Sequence, residues 1–200
     1  MGNKSSHNKP LKSSEVREYL VMTHFDETEI HALYQHFRFI AESGKADGVI
    51  DKKEFQTALG LKNSRFLDRM FALFDENCDK QINFVEFICG LSILCTKGTI
   101  KEKEDFSFKI YDEDRDNKIS VEELTDMLKA SLAENDLALT AEQTDAIVRS
   151  TFAEVDTNKD GFIDREEYHA LVERNPLILS NMTIPLRKQI AAAMSKPHSR

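Results

Sequence analysis

Short apolar clusters at helical spacing alternate along the chain with stretches in which oxygen-bearing residues occupy every second position. Phe66, Met70, Leu73 and Phe74 recur at intervals of three and four, and so do Phe84, Phe87, Ile88 and Leu91. That spacing places large side chains on one face of a helix. Leu124, Met127, Leu128 and Leu132 follow a second polar stretch in the same way, and Val148, Phe152 and Val155 lead into a third. The pattern predicts helix–loop–helix units repeated along the chain. Gly98 followed by Thr99 predicts a break and a helix cap. Past Asn175 and Pro176, the residues Leu179, Met182, Leu186, Ile190 and Met194 recur mostly every fourth position, predicting a helical tail that Pro185 should kink or divide. No apolar run approaches the roughly 20 residues that a membrane-spanning helix needs.

The polar stretches carry the chemistry. In the last of them Asp156, Asn158, Asp160, Gly161, Ile163, Asp164 and Glu167 fit D-x-[DN]-x-[DN]-G-x5-E without exception. This spacing wraps a loop around a hard cation with six or seven oxygens at about 2.3–2.6 Å. Asp156, Asn158 and Asp160 offer side-chain oxygens, Phe162 its carbonyl, Asp164 a ligand or a water bridge, and Glu167 both carboxylate oxygens. Gly161 permits the positive φ of the turn. The preceding loop runs through Asp112, Asp114, Asp116, Lys118 (by its carbonyl), Ser120 and Glu123, with Asn117 in place of the glycine. Another runs through Asp75, Asn77, Asp79, Gln81 (by its carbonyl), Asn83 and Glu86. There Lys80 holds the glycine position and must accept left-handed strain of about 1–2 kcal/mol.

An earlier repeat, around Ser43, Lys45, Asp47, Gly48, Ile50, Asp51 and Glu54, keeps the turn glycine, the isoleucine and the final glutamate. Lys45 puts a cation where an oxygen belongs, so this loop reads as a structural partner of the next, with backbone carbonyls left as its alternative ligands. Ile50, Ile82, Ile119 and Ile163 hold equivalent places, where neighbouring loops of this kind pair through a short β contact. The motif is the EF-hand, and the expected fold is all-α: four EF-hands in two paired lobes with short β contacts and a C-terminal helical tail. The expected divisions are 1–97, 98–174 and 175–200.

Charge changes the reading only in one direction. The formal net charge of −8 argues against a nucleic-acid partner, and much of the acidity sits in the loops. The three cysteines show neither zinc nor redox spacing. No nucleophile–base motif or phosphate loop suggests an enzyme. Met1, Gly2 and Ser6 fit the N-myristoylation pattern M-G-x-x-x-[ST], with Lys4, Lys9 and Lys12 close by to assist at a membrane surface.

The Met1–Gly2 start, the stretch GTIKEKEDFSFKIYD (98–112) and the ending NPLILSNMTIP (175–185) resemble the calcineurin B-like branch of EF-hand sensors, over nearly the whole chain. The segment from Gly90 to Lys103 is also similar to neuronal calcium sensors, without their Cys-Pro pair in the first hand. The resemblance implies an intracellular calcium sensor and not an enzyme: a cytoplasmic, peripherally membrane-associated regulatory subunit of a Ser/Thr kinase or phosphatase. It implies calcium as cofactor, three ions by the loop count, with magnesium as a resting-state occupant. Phe66, Met70, Phe84, Phe87, Ile88, Leu91 and Phe106 are candidates for a target-binding groove over which the tail would lie, the alternatives being that these faces form the hands' own core and that the tail packs permanently as an extra core helix. A neuronal-sensor-like regulator of a membrane protein and a calcium buffer are the alternatives.

Overall fold

A computed structural model describes residues 10–45 and 47–182. Gly2, Lys4, Lys9, Pro185, Leu186, Ile190 and Met194, which the sequence singles out, lie outside the described residues. The described chain is mostly helical, as the periodicity predicts: α1 Ser13–Met22, α2 Glu27–Ala41, α3 Lys52–Leu59, α4 Arg65–Phe74, α5 Phe84–Leu94 and α6 Ile100–Tyr111 precede β1 Lys118–Ile119. Then come α7 Val121–Glu134, α8 Ala141–Val155, β2 Ile163–Asp164, α9 Arg165–Arg174 and a 3₁₀ segment, Pro176–Met182. Hands 1 to 4 are therefore α2–α3, α4–α5, α6–α7 and α8–α9. Helix α1 precedes them and has no counterpart in the sequence reading.

Local sequence sets the helix starts. Asp26, Asn83, Thr99, Ser120, Thr140 and Asp164 each cap a helix by accepting a backbone amide of its first turn. A glutamate or glutamine three residues on returns a bond to the cap's own amide, completing a capping box worth about 0.5–2 kcal/mol. In loops 2 (75–86), 3 (112–123) and 4 (156–167), that glutamate is the terminal one of the motif: Glu86, Glu123 and Glu167. The glutamates that end the motif thus also start the exiting helices.

Two compact units emerge. The first comprises 10–58 and 74–98, the second 59–73 and 99–182, so most of α4 is counted with hands 3 and 4 and not with the stretch 1–97. In the first unit, the Phe84 ring meets Tyr19, Tyr34 and Phe37 edge-on, at centroid separations of 5.3, 4.9 and 5.4 Å. Phe55 meets Phe74 at 5.0 Å. Tyr19 belongs to α1, which explains why that helix is held. Ile50 and Ile82 exchange backbone hydrogen bonds of 2.9 Å, joining loop 1 to loop 2.

In the second unit β1 and β2 are antiparallel, with Ile119 opposite Ile163 and Lys118 opposite Asp164. The core beneath them comprises Phe108, Ile119, Val155, Ile163, Tyr168, Val172 and Leu179. Leu179 comes from the 3₁₀ segment, so the tail's first residues are part of this core. The buried Tyr168 hydroxyl is hydrogen-bonded to Ser107 at 2.5 Å.

Candidate metal centres

Loops 2, 3 and 4 fold alike because each turns backbone amides inward onto its own carboxylates. In loop 4, Asp160 and Gly161 donate amides to the two oxygens of Asp156, at 3.2 and 3.0 Å. Glu167 Oε1 reaches back across the loop to the amides of Thr157 and Asn158, while its Oε2 accepts the amide of Asp164. Loop 3 repeats this pattern: Asn117 donates to Asp112, Glu113 and Asp114 to Glu123 Oε1, and Ser120 to Glu123 Oε2. So does loop 2, where Asp79 and Lys80 donate to Asp75, and Asn77 and Asn83 to Glu86.

Backbone conformation fits the reading of the turns. Gly161, Asn117 and Lys80 all have positive φ, at 84°, 67° and 66°. A second left-handed residue in each loop escaped the sequence reading: Cys78, Arg115 and Lys159, with φ of 60°, 65° and 61°. These fourth positions carry no glycine or asparagine, so residue type gave no signal there.

Loop 3 gathers charge most tightly. One carboxylate oxygen from each of Asp112, Asp114 and Asp116 lies within 4.8 Å of the others. Asp112 is buried, and its Oδ1 has no hydrogen-bond partner. Burial, reinforced by Glu123 and Asp116 nearby, pushes the Asp112 carboxyl above its ordinary range. Against burial, which pushes upward, hydrogen bonds from Ser120, Glu113 and Asp114 hold Glu123 below its own. A crowd of carboxylates with one buried oxygen left over is a donor set suited to a hard divalent cation.

The two loops of this unit touch through ligand-position residues. Lys118 Nζ lies 3.0 Å from Asp160 Oδ2 and 4.8 Å from the Phe162 ring centroid. That contact holds the Asp160 carboxyl below its usual range. Arg165 donates to Asn117 Oδ1, at 3.0 Å, and steadies the loop-3 turn from α9.

Among the described residues, loop 1 shows only the second half of the pattern. Asp51 caps α3 by accepting the Glu54 amide, and Glu54 Oε2 accepts the Asp51 amide at 2.8 Å. Lys45 Nζ is 3.4 Å from Asp51. Glu54 Oε1 is buried without a partner, beside Gly44. A cationic side chain thus occupies the side of the loop where an early ligand would stand.

Residues 46–89 and 103–173 each match the sequence profile of an EF-hand domain pair. The chain is 37% identical to Calcineurin B-like protein 5 of Arabidopsis thaliana over 172 residues, covering 84% of each chain. It is 36% identical to the calcineurin B protein of Naegleria gruberi over 176 residues, 88% of this chain and 96% of that one. The chain belongs to the family of calcineurin B and calcineurin B-like proteins. It is also similar to Calcium-binding protein NCSA of Dictyostelium discoideum, at 40% identity over 123 residues, 60% of this chain and 63% of that one. The matched profiles span loops 2, 3 and 4 and the latter part of loop 1, whose early positions depart from the motif.

The residues read as a groove are distributed unevenly in this family member. Met70, Phe84, Phe87, Ile88, Leu91 and Phe106 are buried. Phe66 is half-buried and lines a cavity of about 400 Å³ in the second unit, with Ile110, Tyr111, Met127 and Ile178 among the other walls. Aromatic and aliphatic periodicity marks the inner faces of α4, α5 and α6, and sequence alone does not separate a core face from a groove wall.

Proposed function

We propose that this chain is a calcium sensor that acts as the regulatory subunit of a target protein, a Ser/Thr kinase or phosphatase. The observation that carries the calcium reading is Asp112 Oδ1, buried and unpartnered beside Asp114 and Asp116. Loops 2, 3 and 4 would each hold one calcium ion, with magnesium in the resting state. The ligands are Asp75, Asn77, Asp79, Asn83, Glu86, Asp112, Asp114, Asp116, Ser120, Glu123, Asp156, Asn158, Asp160, Asp164 and Glu167, with the carbonyls of Gln81, Lys118 and Phe162. Calcium supplies a divalent charge on which six or seven such oxygens can converge.

The chain's own residues supply the response. Glu86, Glu123 and Glu167 each join a loop to the first turn of its exiting helix. Any movement of those carboxylates toward the loop centre draws that helix along, and helix reorientation in such hands exposes apolar surface to an amphipathic target. Phe66 and the cavity it lines are the starting point for that surface in the second unit. The regulatory role rests on the likeness to Calcineurin B-like protein 5 and to calcineurin B. N-myristoylation at Gly2 and attachment to a membrane surface follow from the M-G-x-x-x-[ST] pattern.

A dye that fluoresces on apolar surfaces tests the sensor reading. Calcium should raise its signal, a chelator should reverse the rise, and Glu167→Gln should reduce it. Calcium binding with no change in dye signal would mark a buffer instead.

A further inference from the structure

Helix α6 ends on the first residue of its loop, as α8 does on Asp156. Its C-terminal cap is Asp112, the first residue of loop 3, with φ −69° and ψ 88°. A helix commonly stops on a left-handed glycine whose amide bonds satisfy the last carbonyls. Here the chain must instead deliver Asp112 into the loop, and the last carbonyls need other donors. Arg69 provides them. Its Nε donates to Ile110 O at 3.1 Å, Nη1 to Glu113 O at 3.1 Å, and Nη2 to Lys109 O at 2.7 Å and Asp112 O at 2.5 Å. The side chain is buried, and a cation at this place also complements the negative end of the helix. Nearby, Arg65 pairs with Glu113 and with Asp126, the latter at 2.6 Å, adding a second tie from α4.

Two of the four accepting carbonyls belong to Asp112 and Glu113, so the guanidinium fixes the backbone from which the loop's first carboxylate projects. Arg69 stands on α4, in the same unit as loop 3. We propose that Arg69 is a positioning residue for the loop-3 cation site. The inference rests on the calcium reading of loop 3.

The test is site-resolved calcium titration by amide NMR on the full chain, in wild type and Arg69→Met. Outer residues that orient ligands typically contribute 10- to 100-fold to metal affinity. Arg69→Met should weaken site 3 about tenfold and change site 4 less than about threefold. In the calcium-free protein it should also speed hydrogen exchange at the amides of 112–117. Arg69→Lys, which keeps the charge but cannot span four carbonyls, should fall between the two and serves if the Met variant fails to fold. Equal losses at sites 3 and 4, or an unaltered site 3, would overturn the positioning role. Absence of calcium binding at every wild-type loop would instead overturn the reading of the loops themselves.

Discussion

Ile119 and Ile163 face each other across the antiparallel pair that joins loops 3 and 4, each with 2% of its surface exposed. Neither side chain has an oxygen to offer a cation, yet both anchor loops that do. Ile163→Ala should destabilise the second unit by about 2–5 kcal/mol, the usual cost of emptying a fully packed site. Because the pair is shared, calcium affinity should fall at both loops. Thermal unfolding with site-resolved titration checks this, and a loss confined to loop 4 would show that the strand contact does not couple them.

Gly90 lies in the middle of α5, where glycine normally weakens a helix. A Cβ there would run into the Phe74 ring. Gly90→Ala should therefore destabilise the protein by about 1–3 kcal/mol despite its better helix propensity. Pairing it with Phe74→Leu should recover part of the loss, seen as a shift of the urea midpoint back toward wild type.

Lys80 adopts φ 66° where the motif places glycine. Lys80→Gly should relieve about 1 kcal/mol of left-handed strain and tighten loop 2 by about threefold to tenfold. Calorimetry of the two proteins gives the comparison, and weaker binding after the substitution would mean that the lysine supports the site.

Leu179 is buried in the core under loops 3 and 4, so removing everything after Glu173 takes away part of the second unit. Such a truncation should lower the melting temperature, as should Leu179→Ala, by about 2–5 kcal/mol in stability. Ending the chain after Met182 should leave the unit folded, and is the version with which to ask whether residues 183–200 compete with a target. Equal melting temperatures for the two truncations would show that Leu179 contributes little.

The helix–loop–helix units and the loop contacts were legible because each EF-hand loop compresses its ligands, its turn and its β contact into one short stretch. Asp156 to Glu167 can be read without reference to anything distant. Helix α1 was not legible, because its hold depends on Tyr19 meeting Phe84, far away in sequence. Arg69 was missed for the same reason: its partners are backbone carbonyls around residue 112, which carry no residue-type signal. Periodicity also failed to separate interior from groove, since Met70 and Phe66 share one helix yet only Met70 is buried.

The most direct test of the loops is calorimetric calcium titration of wild type beside Glu86→Gln, Glu123→Gln and Glu167→Gln. Each terminal glutamate would supply two oxygens and the charge that an amide lacks. Three ions should bind to wild type, and each variant should lose one tight site while keeping its helical circular dichroism. Full stoichiometry and affinity in all three variants would contradict the assignment of these carboxylates as ligands.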